Sequence, residues 1–426
     1  MEKKEVLVVK ANGPLEGEVY ISGAKNSALP ILAGSLLATE PVILDEVPKL
    51  KDIEVMVEIL KSLGAKVDYL DATTLKIDSS NVNNYEAPFE LMDKMRASFI
   101  VMGPLLSRFS HAITKAPGGC NIGKRPIDLH LKGFESLGAK TTMNDEEISS
   151  IAKDGLKGEV IYLDFPSVGA TENIMMAATM AEGETVIENA AKEPEIVDLA
   201  SFLSKMGADI IGAGTSNIII KGVKKLTGAR HTIVPDRIEA ATYMIAAAIT
   251  GGNILIKNVL GSHIRPVIAK LIEIGATVEE IDDEDMIRVR ANKKLRSTSI
   301  KTLPYPGFPT DVQAQFMALM TVCQGESSVV ETVFENRFMH VDELKKMGAV
   351  ILTEGNRSAI IGVDKLHGAQ VKATDLRAGA ALILAGLVAE GETVVSDIFH
   401  IDRGYSDLEK KFSKLGAIIE RRQVNK

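Results

Sequence analysis

The chain has no tryptophan, two cysteines in 426 residues and 4% aromatic residues. Sparse aromatics remove the platforms on which nucleic-acid bases stack, and 57 acidic against 49 basic side chains give a net charge of -8 where a nucleic-acid binder needs a basic face. No nucleic-acid partner is expected. Cys120 and Cys323 lie far apart without C-x-x-C spacing, which argues against a disulfide scaffold and leaves two reduced thiols. No apolar run approaches the ~18 residues of a membrane span, and MEKKEVLVVK contains no apolar leader with a small-residue cleavage site. The expected address is cytoplasmic, with no membrane partner. Seven histidines show neither H-x-x-x-H nor Cys/His ligand spacing, so no metal site is expected. No Walker loop occurs, and GAGTSN at 212–217 lacks the third glycine and the following helix of a dinucleotide site.

What the chain does have is 46% apolar and 25% charged residues, the balance of a soluble globular protein, and a length that exceeds one ordinary core. Six segments of helical apolar pattern close on Leu/Met/Ile-Gly-Ala, with glycines at 64, 138, 207, 275, 348 and 416, at intervals of 74, 69, 68, 73 and 68 residues. Glycine in that place predicts a helix C-cap in the left-handed conformation. A β-rich pair follows each cap, as in KVDYLDATTLKID and VILTEGNRSAIIGV, and small-residue helices such as SALPILAGSLLA and GAALILAGLVA come between. Such a period marks duplicated supersecondary units, three per domain. The last unit stops one strand short of its hairpin. EVLVVKANGPLEGEVYI resembles the second hairpin strands, so the N-terminal segment is expected to complete it. The expected domains are therefore a discontinuous one, residues 1–21 plus 235–426, and a continuous one, 22–234. Two crossings between them suggest a hinge with a cleft that closes on a ligand.

Basic residues are expected at helix starts in a shared register: Lys51, Arg125 and Arg403 stand thirteen positions before capping glycines, and Arg337 eleven before Gly348. Lys25 and Asn26, Arg96, Gly169, Asp311 and Arg377 fall at or near the first turns of small-residue helices. Unpaired N–H groups at helix starts, joined by lysine and arginine in an acidic protein, predict a focused site for a ligand with several phosphates or carboxylates. AITKAPGGCNIGKRPID, residues 112–128, reads as a mobile glycine-rich loop in which Lys115, Lys124 and Arg125 stabilise a Cys120 thiolate. Cys323, inside QFMALMTVC, reads as a buried structural residue. Asp311, Asp375 and Asp402 each suit an N-cap, while Asp311, after Pro309 and Thr310, also suits a base aimed at the ligand.

SGAKNSALPIL, MRAS, PGGCNIGKRPIDLH, SVGATENIM, PDRIEA, FPTDVQAQF, ETVFENRFMH, DLRAGA and HIDRGY together resemble the enolpyruvyl transferase family, in its branch acting on UDP-N-acetylglucosamine. The resemblance covers nearly the whole chain. It implies a two-domain inverse (inside-out) α/β barrel, each domain built of three βαβαββ repeats. It also implies transfer of the enolpyruvyl group of phosphoenolpyruvate to the sugar 3-hydroxyl with release of phosphate, the first committed step of peptidoglycan synthesis, without metal or organic cofactor.

By the same resemblance, Lys25 and Asn26 meet phosphoenolpyruvate, Arg125 and Arg403 hold its phosphate, and Arg337 and Arg377 add positive charge around it. Arg96, Arg125, Pro126, Ile127, Asp128, Leu129, Ser167, Val168, Gly169, Asp311 and Val333 hold the UDP-sugar, and Asp375 counts among the substrate-binding residues. Cys120 matches the loop cysteine that donates a proton and is alkylated by fosfomycin, and Asp311 the base. Two rivals stand beside this reading: the shikimate-pathway enolpyruvyl transferase, from which the PGGC loop and RPIDLH point away, and an inactive regulatory paralogue. Oligomeric state is not readable.

Overall fold

A computed structural model describes residues 3–115, 127–144, 146–281, 285–292 and 294–425. The chain divides into two compact units, one running from Gly23 to Val234 and the other holding the residues up to Ser22 and from Pro235 onward. Each has its own apolar core.

One sheet plan is repeated. A short strand runs parallel to a second, which pairs antiparallel with the far strand of a hairpin. In the unit that starts at Gly23, Arg230–Thr232 lies parallel to Val42–Asp45, which pairs with Leu75–Asp78 and so with Lys66–Tyr69. Val160–Tyr162, Glu184–Glu188, Asn217–Lys221 and Asp209–Ile211 repeat that order. In the third copy the hairpin Lys140–Asn144 and Glu147–Ile151 pairs with His111–Lys115, but a single parallel bridge between Glu86 and Ile113 replaces the first strand.

The other unit has three full copies. Glu16–Tyr20 lies parallel to Asn253–Lys257 beside the hairpin Thr277–Ile281 and Met286–Arg290. Ser299–Lys301 and Glu326–Val330 stand beside Val350–Glu354 and Arg357–Ile361. In the last, Gln370–Lys372 is parallel to Glu392–Ser396, and Lys3–Lys10 pairs antiparallel with both Glu392–Ser396 and Ile418–Asn425. The N-terminal strand thus supplies the partner that the final hairpin lacked in sequence.

Six helices occupy the interior: Lys25–Gly34, Met102–Phe109 and Val168–Ala178 in one unit, Arg237–Thr250, Gln313–Met320 and Leu376–Gly386 in the other. In Arg237–Thr250 every residue from Ile238 on is buried, and Gln313–Met320 is buried throughout. A helix without a polar face can only be an inner one. The sheets face out, with burial alternating along strands such as Val42–Asp45 and Glu392–Ser396. Helices inside and sheets outside is the inverse of the usual layering, and agrees with the fold class expected from sequence. The amphipathic helices that end at the capping glycines, among them Lys51–Ser62 and Pro194–Lys205, keep one apolar face against the core. Gly64, Gly138, Gly207, Gly275, Gly348 and Gly416 all have φ between +90° and +108°, a region in which a Cβ is strained.

The chain passes between the units at Ser22/Gly23 and Val234/Pro235, and buried carboxylates pin the ends. Glu239 accepts from the Ser22 N–H at 2.8 Å and from Lys411 Nζ at 2.6 Å. Asp198 accepts from the Val234 N–H at 3.1 Å, from His231 Nε2 at 2.8 Å and from the Ser27 hydroxyl.

Candidate active site

In the unit with the N-terminal strand, Asp311 lies in a 3-10 turn, Thr310–Val312, that runs into the helix Gln313–Met320. Its carboxylate is held by two arginines. Arg337 Nη2 donates to Oδ1 at 2.9 Å and Arg377 Nη2 to Oδ2 at 2.9 Å. The side chains of Arg337 and Arg377 are 3% and 4% exposed, against 26% for Asp311. Two buried cations therefore share one carboxylate, and Nη1 of each arginine is buried with no hydrogen-bond partner among the described residues. Burial works against the Arg377 charge, yet Asp311, Tyr405 and Asp236 hold its proton more tightly than in free arginine. The Tyr405 ring lies under the Arg377 guanidinium at 5.6 Å and that of Phe334 under Arg337 at 5.2 Å.

Asp375 takes the N-cap role, its Oδ1 accepting from the N–H groups of Arg377 at 2.8 Å and Ala378 at 3.1 Å. Its charge also reaches His340 and His400. Burial pushes the His340 imidazole down to about 4, Asp375 opposing and Arg337 adding to the shift. Burial, then Arg403, lowers His400. Arg403 follows the short helix Phe399–Asp402 and precedes Leu408–Lys414, so it closes one helix where sequence spacing placed it at a start. A Cβ on the next residue, Gly404, would come within 2.4 Å of Leu376, which fixes HIDRGY against the start of the Arg377 helix. Asp402 is no cap: it holds Arg421 at 2.7 and 3.0 Å. The structure thus gathers Asp311, Arg337 and Arg377 in direct contact, with Asp375 and Arg403 beside them. Val333 donates its N–H to Glu331 Oε1 at 2.8 Å.

In the Gly23–Val234 unit, Lys25 is the first residue of its helix, followed by Asn26, and donates to Asp52 Oδ2 at 3.3 Å. The Asp52 side chain is 4% exposed and that of Lys25 13%. Ser167 caps the helix Val168–Ala178, its hydroxyl accepting from the Ala170 N–H at 3.4 Å. Gly169 permits a close approach, because a Cβ there would lie 3.2 Å from the His130 ring. His130 belongs to the helix Asp128–Ser136, so Ile127, Asp128 and Leu129 are carried beside Ser167–Gly169. Asn173 ties the group together, meeting His130 Nδ1 at 3.0 Å and the Phe99 carbonyl at 3.1 Å, and accepting from the Gly103 N–H at 2.6 Å. Arg96 begins the 3-10 segment Arg96–Val101. Cys120, Lys124, Arg125 and Pro126 lie outside the described residues.

Sequence reasoning missed four contributors. Asp52 sits on a different helix from its partner Lys25. Tyr405, Gln315 and Thr242 form a buried polar chain, with Gln315 Nε2 3.2 Å from the Tyr405 hydroxyl and Thr242 Oγ1 2.8 Å from it. Tyr405 and Gln315 were in view within HIDRGY and FPTDVQAQF; the others carried no local signal. Cys323 is buried, and burial pushes its thiol up to about 12, as its apolar surroundings in sequence predict.

A two-unit α/β scaffold of this kind is shared by known proteins. Residues 9–412 match the family described as EPSP synthase (3-phosphoshikimate 1-carboxyvinyltransferase), and the chain belongs to that family of enolpyruvyl transferases. Within it, the chain is 69% identical over 420 residues to a UDP-N-acetylglucosamine 1-carboxyvinyltransferase of Finegoldia magna, covering 99% of each. It is 60% identical to UDP-N-acetylglucosamine 1-carboxyvinyltransferase 1 of Caldanaerobacter subterraneus and 55% to the enzyme of the same name from Staphylococcus aureus, over 98% and 97% of this chain and 100% and 99% of theirs. Among solved structures, the enolpyruvyl transferase NikO from Streptomyces tendae superposes with a TM-score of 0.89 at 25% identity, over 100% of both chains. EPSP synthase from Acinetobacter baumannii, 18% identical with a TM-score of 0.78 over 99% of this chain and 100% of its own, shares the fold.

Proposed function

We propose that the chain transfers the enolpyruvyl group of phosphoenolpyruvate to the 3-hydroxyl of UDP-N-acetylglucosamine with release of phosphate, the first committed step of peptidoglycan synthesis. The observation that carries this reading is the 69% identity, over 99% of both chains, to an enzyme whose name states that transfer. Among its family, the shikimate-pathway reaction is the alternative; the solved EPSP synthase is 18% identical.

In this reading Asp311 takes the proton of the 3-hydroxyl as the sugar oxygen attacks C2 of enolpyruvate, and an acid delivers a proton to C3. Loss of phosphate and of a C3 proton then gives the enolpyruvyl ether. Cys120 and Lys25 are the candidate acids. Lys25 meets phosphoenolpyruvate, and Arg125 and Arg403 hold its phosphate; Arg337 and Arg377, with surplus positive charge over Asp311, supply fixed charge that needs no reorganisation during the reaction. Asn26, Arg96, residues 125–129, Ser167–Gly169, Val333 and Asp375 complete the substrate contacts.

Phosphate release measured with phosphoenolpyruvate and each acceptor decides the matter. Turnover with UDP-N-acetylglucosamine is the expected result; turnover with shikimate 3-phosphate alone selects the alternative, and none with either leaves an inactive paralogue. No described helix is long and apolar enough to cross a membrane.

A further inference from the structure

We infer that Glu331 is a positioning residue that sets the Asp311 carboxylate and the Val333 main chain as one piece. Glu331 is 2% exposed. Its Oε1 accepts from Thr302 Oγ1 at 2.7 Å, the Val333 N–H at 2.8 Å and the Phe334 N–H at 3.2 Å, and its Oε2 from Thr310 Oγ1 at 2.9 Å. An ionised carboxylate accepts only and has about four lone-pair sites. Four donors face it. Three of them converge on Oε1 and one reaches Oε2, and glutamine, which brings two donors of its own, is a poor substitute.

The contacts form a closed circuit. Thr310 is the neighbour of Asp311 in one 3-10 turn. The Phe334 ring lies 5.2 Å from the Arg337 guanidinium, and Arg337 holds Asp311 Oδ1 at 2.9 Å. Glu331 therefore grips both ends of the path from Asp311 through Arg337, and is itself fixed to Asn356, whose main-chain oxygen accepts from the Glu331 N–H at 2.9 Å and whose Nδ2 donates to the Glu331 carbonyl at 3.1 Å. Releasing the Thr310 arm lets the base swing without removing any group that touches substrate. The inference rests on the reading of Asp311 as base and of Val333 as a sugar contact.

Thr310→Val removes the hydroxyl at constant shape. It is expected to lower kcat about 30-fold with both KM values within about threefold, since small misplacements at a reacting group cost up to about a hundredfold. Glu331→Gln lowers kcat similarly and also raises KM for the UDP-sugar severalfold, because Val333 loosens as well. In the double variant the kcat loss does not exceed the larger single loss, and Thr310→Ser recovers at least half of wild-type kcat. Unchanged kcat, losses that multiply, or a serine variant as slow as the valine one would each overturn the role. A second readout needs no turnover: the slowly exchanging guanidinium N–H signals of Arg337 and Arg377 in 15N-arginine NMR shift in Thr310→Val. Unshifted signals refute the inference even if the transfer reaction stands, and shifted ones sustain it even if the acceptor is another.

Discussion

The two units present positive charge by different means on the same scaffold. In the unit that includes the N-terminal strand, the three inner helices begin at aspartates: Asp236 accepts from two N–H groups of its own helix, Asp375 does the same, and Asp311 stands in the turn before Gln313. At the Asp236 and Asp375 starts the side chain takes up two of the N–H groups that a helix start leaves over, and around Asp311 arginine side chains carry the positive field instead. In the Gly23–Val234 unit the helices starting at Lys25, Met102 and Val168 have no acidic residue in their first turns, and Lys25 stands at the first of these starts. There the helix dipole and a lysine act together. Duplication fixed the scaffold, and the residue at each helix start decided whether backbone or side chain meets an anion.

The strongest way to break this contrast is Asp311→Asn. Loss of a general base is expected to cut kcat about a thousandfold, while the UDP-sugar dissociation constant, followed by calorimetry, stays within about threefold. Equal losses in both would make Asp311 a binding residue only. Cys120→Ser is expected to abolish covalent labelling by fosfomycin, read by intact mass, and to cut turnover at least tenfold; persistent labelling removes the thiol from the site. Lys25→Met leaves Asp52 as a buried charge and costs about 2 kcal/mol in urea unfolding. Adding Asp52→Asn returns most of that stability but none of the turnover, which separates the structural job of Lys25 from its chemical one. A double variant as unstable as the single would show that the pair does not compensate charge.

The smallest effect concerns the Gly23–Val234 unit alone. Burial, with Glu195 and Glu193 adding repulsion, raises the Glu172 carboxyl well above its ordinary 4.5. The folded state thus binds its proton more tightly than the unfolded chain does, so that stability is complete below about pH 4.5 and is lost as pH rises toward the folded value. Glu172→Gln is expected to gain about 1 kcal/mol at pH 8 and nothing near pH 4 by urea unfolding. His340, in the other unit, runs the opposite way: with its folded pKa depressed to about 4, stability falls as pH drops from about 6.5 toward 4.

Much of this was readable because repetition amplifies weak local signals. One Leu-Gly-Ala is an indifferent cap, but six at a steady interval all proved left-handed. The strand-short final unit likewise pointed to Lys3–Lys10. The helix Met102–Phe109 was signalled only by Arg96 ahead of it, because Arg108 interrupts the small-residue pattern of its five counterparts, and the first strand of that copy, near Glu86, is reduced to a single bridge. Within the candidate site, placements at helix starts were legible for Lys25, Asp311 and Arg377. Their partners were not, since Asp52, Glu331 and Tyr405 reach them only through folding, and nothing in a linear pattern says which carboxylate meets which cation.

The strand Lys3–Lys10 carries a cost in the order of synthesis. Val6, Leu7, Val8 and Val9 are all buried, yet the two strands that pair with their strand, Glu392–Ser396 and Ile418–Asn425, are made only after several hundred further residues. The Gly23–Val234 unit draws its strands from one continuous stretch and is free to close early. Until those strands are made, the VLVV segment has both edges unpaired, the kind of surface on which nascent chains stick to one another.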